Sequence, residues 1–223
     1  MALFDDHADT YDNFCQTPLG HYVDTVEHGL IADLAQPRPG ERAIDLGCGT
    51  GAYTLWLNDV GTHVTGVDVS RRMLEVAGRK CGGVPLIQAD LRKLPFPDGT
   101  FDIALCNLAL EFIEKPAEVM AEIYRILKPG GRLIAGFIGK CSPWAQKYIR
   151  RGQEDPTSVY HGAHFFTYTD IKELGWGDPV AARFGLYVSP ELFDIATAWD
   201  IERAHGQFSQ EMGAGFIAVR WEK

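Results

Sequence analysis

The sequence lacks an excess of positive charge. Its 21 lysines and arginines face 30 aspartates and glutamates, for a formal net charge of −9. Broad binding to nucleic-acid phosphates or anionic lipid needs a basic face, so neither is expected as a partner. Lys147, Arg150 and Arg151 form a local basic group that reads as a solvated helix face. Long apolar runs are missing too, and no stretch approaches the ~18 residues of a membrane span. The opening, MALFDDHADT, has neither the basic start nor the apolar core of a signal peptide. Cysteines are not paired: Cys15, Cys48, Cys81, Cys106 and Cys141 are odd in number, widely spaced and without a CxxC. Reduced thiols in a cytoplasmic protein are the expectation, with no metal site. Internal repeats and low-complexity tracts are absent.

What is present is an ordinary globular composition, 46% hydrophobic and 23% charged over 223 residues. That suits one domain over 1–223, large enough to bury its own core. The first forty residues read as a helical cap. Leu19, Tyr22, Val23, Val26, Leu30, Ile31 and Leu34 recur at helical spacing, and Pro37, Pro39 and Gly40 end the run. Thereafter short apolar runs at 42–46, 63–67, 84–88, 101–106 and 132–138 alternate with helical patterns. Ser70 reads as the cap of a helix through Lys80. From Ala117 to Lys128, Val119, Met120, Ile123, Ile126 and Leu127 form one stripe, closed by Pro129-Gly130-Gly131. This alternation predicts βαβ units and a parallel α/β sheet. Further strands are expected near 180–188 and 214–221. Residues 139–167 break the rhythm with Trp144, Tyr148, Tyr160, His161, His164, Phe165 and Phe166, and read as a lid or pocket wall.

The strongest local signal is Ala43-Ile-Asp-Leu-Gly-Cys-Gly-Thr-Gly-Ala52, a strand running into alternating glycines and then a helix. Glycines let a backbone turn sharply and approach a ligand at the carboxyl end of a parallel strand. Alone the loop is ambiguous. Gly47, Gly49 and Ala52 also satisfy the dinucleotide pattern, and Asp68, ending the next strand, can hold a ribose in either class. Asp45 and Asp90 break the tie. A carboxylate beside the loop is awkward next to a pyrophosphate but suits a cationic amino group. Asp90 can accept from an adenine amino group, with Leu91 over the ring. Three carboxylates on successive strand ends suit a ligand with a sulfonium, an ammonium and no phosphate. Capping of the following turns is the alternative for Asp45 and Asp90.

At these residues the chain resembles the class I S-adenosylmethionine-dependent methyltransferases, and within them the type-11 subfamily, whose relatives include ubiquinone and menaquinone C-methyltransferases. The matching segments are Asp45-Leu-Gly-Cys-Gly-Thr-Gly51, Val64-Thr-Gly-Val-Asp68-Val-Ser70, Met73-Leu74, Ala89-Asp90-Leu91, Leu94-Pro-Phe-Pro97, Phe101-Asp102 and Arg125-Ile-Leu-Lys-Pro-Gly-Gly-Arg132. Phe4-Asp5 through Tyr11-Asp12 resembles the start of such enzymes. The resemblance implies a seven-stranded, doubly wound, Rossmann-like sheet with its last strand antiparallel, and S-adenosylmethionine as cofactor. It implies that Gly47, Cys48, Gly49 and Gly51 form the cofactor loop and that Asp45 faces the methionine part. Asp68 would hold the ribose, Val69 and Met73 the adenine, and Asp90 and Leu91 its edge and face. Asn107 would sit near the transferred methyl, and Tyr11 would cover the cofactor. Relatives often carry a histidine after the fourth strand; here Glu111 stands close to its place.

Methyl transfer from a sulfonium is an in-line displacement with a neutral leaving group, so positioning and exclusion of water dominate. A base is needed only where the acceptor must lose a proton. His161, His164 and Glu111 are the candidate catalytic residues, on a small-molecule acceptor. Tyr160, Phe165, Phe166 and Trp144 either cage that acceptor or pack the lid. Cys106 and Cys141 read as structural. A nicotinamide-dependent oxidoreductase is the first alternative, which neither Asp45 nor the missing Ser-Tyr-Lys set favours. A non-catalytic methyltransferase-like binding module is the second, against which the intact loop speaks. A monomer or a homodimer is expected.

Overall fold

Period-two alternation builds the centre of the molecule. The computed structural model describes residues 2–206 and 211–223. The first residue of the expected cap and positions 207–210 of the expected domain lie outside these. Seven strands form one sheet: β1 (Arg42–Leu46), β2 (His63–Asp68), β3 (Leu86–Gln88), β4 (Phe101–Asn107), β5 (Leu127–Ile138), β6 (Ala181–Gly185) and β7 (Phe216–Glu222). Their order is β3-β2-β1-β4-β5-β7-β6. Pairings from β3 through β5 are parallel, whereas β7 runs antiparallel to both its neighbours. This is the α/β doubly wound sheet expected, with the last strand reversed.

Successive side chains of a strand point to opposite faces. Ile44, Leu46, Ala104, Cys106, Leu133, Ala135, Ile217, Val219 and Trp221 enter one core layer; Ala43, Ile103, Leu105, Ile134, Phe216 and Ala218 enter the other. The first layer is covered by α4 (Pro116–Ile126), which contributes Val119, Met120, Ile123 and Ile126, and by Ile171 of α6 (Tyr168–Leu174). Each of those buried α4 side chains contributes about 1.5–3 kcal/mol of transfer free energy. The second is covered by α1 (Pro18–Ala35), α2 (Ala52–Asp59) and α7 (Ile195–Gly206). The remaining helices are α3 (Arg71–Lys80) and α5 (Pro143–Glu154), and a 3-10 segment spans Asp5–Gln16. No helix among the described residues is long and apolar enough to cross a membrane.

Local chemistry sets the boundaries. Thr17 caps α1 by accepting from Gly20 N at 3.0 Å, and Ser70 caps α3 by accepting from Met73 N at 3.1 Å. The helical cap divides into the 3-10 segment Asp5–Gln16 and α1, which begins at Pro18. One expectation needs correcting: α4 stops at Ile126, because Leu127 already pairs with Phe101 and β5 starts before the Pro-Gly-Gly turn rather than after it. The segment 139–167 leaves and rejoins the sheet at one point. Gly139 and Phe166 form a parallel bridge, and Phe166 O accepts from Lys140 N at 2.9 Å.

Candidate functional site

The glycine loop crosses the end of β2. Val67 O accepts from Gly47 N at 2.8 Å and Cys48 N at 3.0 Å. Gly47 has φ of +70°, and a Cβ there would stand 2.7 Å from Ala109 Cβ. Only glycine meets both demands. Asp68 then fastens the loop, its Oδ2 accepting from Gly49 N at 2.9 Å and its Oδ1 from Ser70 N at 2.7 Å. Burial raises its pKa, against the opposing pull of these N–H groups.

A cavity of about 380 Å³ opens in front of the loop. Its walls include Gly47, Gly49, Asp68, Val69, Met73, Asp90, Leu91, Asn107 and Tyr11, all named from the sequence. Phe4, Leu108 and Phe112 also line it, and the sequence did not single them out as site residues. Leu108 is the telling one. It follows β4 with φ of +52°, a left-handed geometry that costs a branched side chain roughly 1–2 kcal/mol. Asp90 does not stand free: its carboxylate holds Arg92 through Nε at 3.0 Å and Nη2 at 2.6 Å.

Three loop residues lie apart from this cavity wall. Asp45 shares the β1 face of Ala43, is 3% exposed, and accepts from Thr54 Oγ1 of α2 at 2.5 Å. Burial pushes its carboxyl up to about 7. The three aspartates therefore do not all converge: Asp68 and Asp90 reach the cavity and Asp45 braces the loop from behind. Cys48 is buried, and Gly51 caps α2 against Cys81 and Ala77.

The 3-10 segment roofs the cavity and is tied down by charge. Asp5 Oδ1 accepts from Ser70 Oγ at 2.6 Å, while Asp12 takes Thr50 Oγ1 at 2.6 Å and Lys80 Nζ at 2.7 Å. Phe4 meets Tyr11 and Phe112 edge-on, at centroid distances of 6.2 and 4.9 Å.

Behind the Asn107–Phe112 wall of the cavity, and not among its lining residues, stand acidic and aromatic groups. Glu111 is 1% exposed; its Oε1 accepts from Ile138 N at 2.8 Å and its Oε2 has no partner. Burial pushes it up to about 7. The Oδ1 of Asn107 is likewise unpartnered, while its side-chain amide hydrogen-bonds Glu27 of α1. Burial first, then Asp24 and Glu111, push Glu27 up to about 8. Glu27 went unremarked in the sequence, though the signal was there: a carboxylate one helical turn from both Val23 and Ile31 interrupts the apolar stripe of α1.

Neither candidate histidine is brought to this cavity. His161 is exposed, with Nδ1 2.9 Å from Gly152 O; His164 is exposed, with its ring edge-on to Phe166. Of the aromatic set, Trp144, Phe165 and Phe166 are buried as packing, Trp144 donating to Val188 O at 2.9 Å. Tyr160 alone turns toward Phe112 and Tyr148.

A parallel sheet with a bare glycine turn, a ribose-ready carboxylate and no basic phosphate cradle defines a nucleoside-binding class I fold. The residues fit the S-adenosyl group: Asp68 offers acceptors to hydroxyls, Met73 and Leu91 offer apolar faces, and Gly49 leaves open space where a Cβ would stand. Comparison with known proteins agrees. A family model described as a methyltransferase domain, type 11, matches residues 44–135. An uncharacterized protein of Mycobacterium tuberculosis is 31% identical over 95% of this chain and 70% of its own length. The demethylmenaquinone methyltransferase of Clavibacter sepedonicus is 35% identical over 69% of this chain, which spans 62% of that relative. A solved structure described as an S-adenosylmethionine-dependent methyltransferase from Thermotoga maritima superposes with a TM-score of 0.75 at 25% identity, covering 99% of this chain and 98% of that one. The chain belongs to the type-11 family of S-adenosylmethionine-dependent methyltransferases, and its cofactor is S-adenosylmethionine. The oxidoreductase and binding-module alternatives are displaced by this assignment.

Proposed function

We propose that this enzyme methylates a small molecule by in-line displacement, with the acceptor held at the Asn107–Tyr11–Phe112 end of the cavity. When bound, the cofactor supplies an electrophilic methyl on a sulfonium whose leaving thioether is neutral. Asp68 is assigned the ribose, Val69, Met73 and Leu91 the adenine, and Asp90 the adenine edge in competition with Arg92. Asp45 acts by holding α2 and the loop together through Thr54. Phe4, Tyr11 and the segment 139–167 serve as a lid that keeps water from the reacting atoms. The observation that carries this reading is the roof: a charge-tied segment and three aromatic rings cover a cavity of about 380 Å³. A roofed cavity of this kind suits a small acceptor better than a folded RNA or protein. A net charge of −9 supports the same choice. We place the enzyme in the cytoplasm, with its five thiols reduced, as a monomer or homodimer.

The test is the fate of a radiolabelled methyl group in a fractionated extract. Label is expected in the low-mass fraction. Label confined to protein or RNA would overturn the small-molecule reading.

A further inference from the structure

Two carboxyls behind the Asn107–Phe112 wall, Glu111 buried and Glu27 half-buried, have no basic partner. None of the ion pairs formed among the described residues includes Glu27, Asp24 or Glu111. Buried carboxyls are ordinarily matched by a cation or by donors. Here Glu111 Oε2 is unmatched in a side chain 1% exposed, and Asn107 Oδ1 beside it is a second orphan acceptor. Once Glu111 is ionised, its Oε2 is an acceptor like Asn107 Oδ1, and the protein provides a donor to neither.

The rings around them have the complementary property. Tyr148 and Tyr160 stack with centroids 4.2 Å apart, and Phe112 lies 6.2 Å from Tyr160. Tyr53 stacks on His28 at 5.6 Å. The groups facing Glu27 are Asp24 on its own helix, Glu111 from the turn after β4, Tyr11 from the roof, Tyr53 from α2, Tyr148 from α5 and Tyr160 beyond it. An aromatic cage attracts cations through its ring faces. Anionic acceptors fare badly here, because a thiolate, phenolate or carboxylate would meet like charge in a desolvated place.

Resting on the reading that the acceptor is a small molecule at this end of the cavity, we propose that it is an amine bound as its ammonium. The cation sits between Glu27 and Glu111, against the rings of Tyr11, Tyr148 and Tyr160, and Glu27 is the base that frees its nitrogen. Glu27 takes one proton from the ammonium. The released nitrogen lone pair then forms the N–C bond to the donor methyl as the C–S bond breaks, its electron pair staying on sulfur. The products are an N-methylammonium and a neutral thioether, and the proton on Glu27 passes to solvent. Charge balances: one positive charge enters as ammonium and one as sulfonium, and they leave as the methylated ammonium and the proton. The raised pKa of each carboxyl, driven first by burial, fits this use, since a neutral, empty site becomes ionised only as the cation arrives.

The experiment is calorimetry on the full chain saturated with S-adenosylhomocysteine. It is titrated with benzylamine, phenethylamine and tryptamine, and with benzyl alcohol and phenylacetate as neutral and anionic counterparts. At least one amine is expected to bind about tenfold or more tighter than either counterpart, a gap of about 1.4 kcal/mol. Glu27→Gln and Glu111→Gln are expected to erase that preference while shifting S-adenosylhomocysteine affinity less than about threefold, which also shows that each variant folds. With labelled donor, Glu27→Gln should lower kcat more than KM, and Glu111→Gln the reverse. The amine assignment is overturned if the alcohol or carboxylate binds as well as every amine, if no amine binds the saturated chain, or if both variants keep the preference. Failure of the parent chain to bind S-adenosylhomocysteine would instead bring down the methyltransferase reading on which the inference rests.

Discussion

At the glycine-loop end of the cavity, Asp68 accepts from the backbone N–H groups of residues 49 and 70. At the other end, Glu111 meets one backbone N–H and leaves an oxygen bare, while Glu27 leans on a single side-chain amide. The first carboxylate is raised by burial, while backbone N–H groups, those of residues 49 and 70 among them, pull it back toward the ionised form. The second pair is raised chiefly by burial, Glu27 also by the charges of Asp24 and Glu111. The contrast is between a carboxylate supplied with donors by the backbone on both oxygens and one that keeps an unsatisfied oxygen in a buried place.

The comparison breaks most decisively at Asp68. Asp68→Ala should weaken S-adenosylhomocysteine binding about 100-fold or more by calorimetry, since hydrogen bonds to a charged group are worth about 1.5–3 kcal/mol each. Cooperative melting should survive, and unchanged affinity would remove Asp68 from the site. Next comes the backbone between the two ends. A Cβ on Gly136 would stand 1.9 Å from Asn107 Oδ1 and 2.5 Å from Phe216 Cζ. Overpacking of this kind costs about 1–3 kcal/mol, so Gly136→Ala should lower Tm by roughly 2–10 °C. An unchanged Tm in calorimetric scans would show that Asn107 is free to move.

Glu111 gives a smaller effect with a definite sign. Its folded value, about 7, lies above the unfolded 4.5. The folded chain therefore binds a proton there that the unfolded chain has released, and stability present below the lower value is lost as pH rises through the upper one. Glu111→Gln removes that loss. The variant should melt a few degrees higher than the parent at pH 8 and no higher at pH 5. A gain at both values would mean that packing, not ionisation, is responsible. Asp45 and Glu27 are raised in the same direction, so part of the parent's decline persists in this variant. The smallest effect belongs to the two exposed imidazoles. His161→Ala and His164→Ala should each leave kcat within about twofold, well under the ~10²-fold typical of losing a general base. A larger drop would return the base to the 139–167 segment.

Much of the cofactor end was legible because its determinants are local. Asp68, Val69, Ser70 and Met73 sit on one strand end and the first turn of α3, and Gly47 and Gly49 on the loop after the neighbouring strand β1. Contacts between chain neighbours leave a fixed spacing that can be read. Asp45 shows the limit of this. Its position in the loop motif was plain, but strand alternation turns it toward Thr54, a matter of which helix covers which face. The expectation for His161 and His164 rested on residue type alone, and type carries no direction.

From the amino-acid order alone come the alternating strands and helices, the glycine turn, the cap at Ser70, and the acid that ends β2. Each depends on dihedral preference, side-chain period or a hydrogen bond spanning a few residues. Only the tertiary structure places Glu27 of α1 beside Asn107 of β4 and Glu111 of the next turn, and folds Tyr148 and Tyr160 toward them. Those groups meet because separate segments close over one strand end. The cost of burying their charge arises only once water has been excluded, a condition that no stretch of sequence meets by itself.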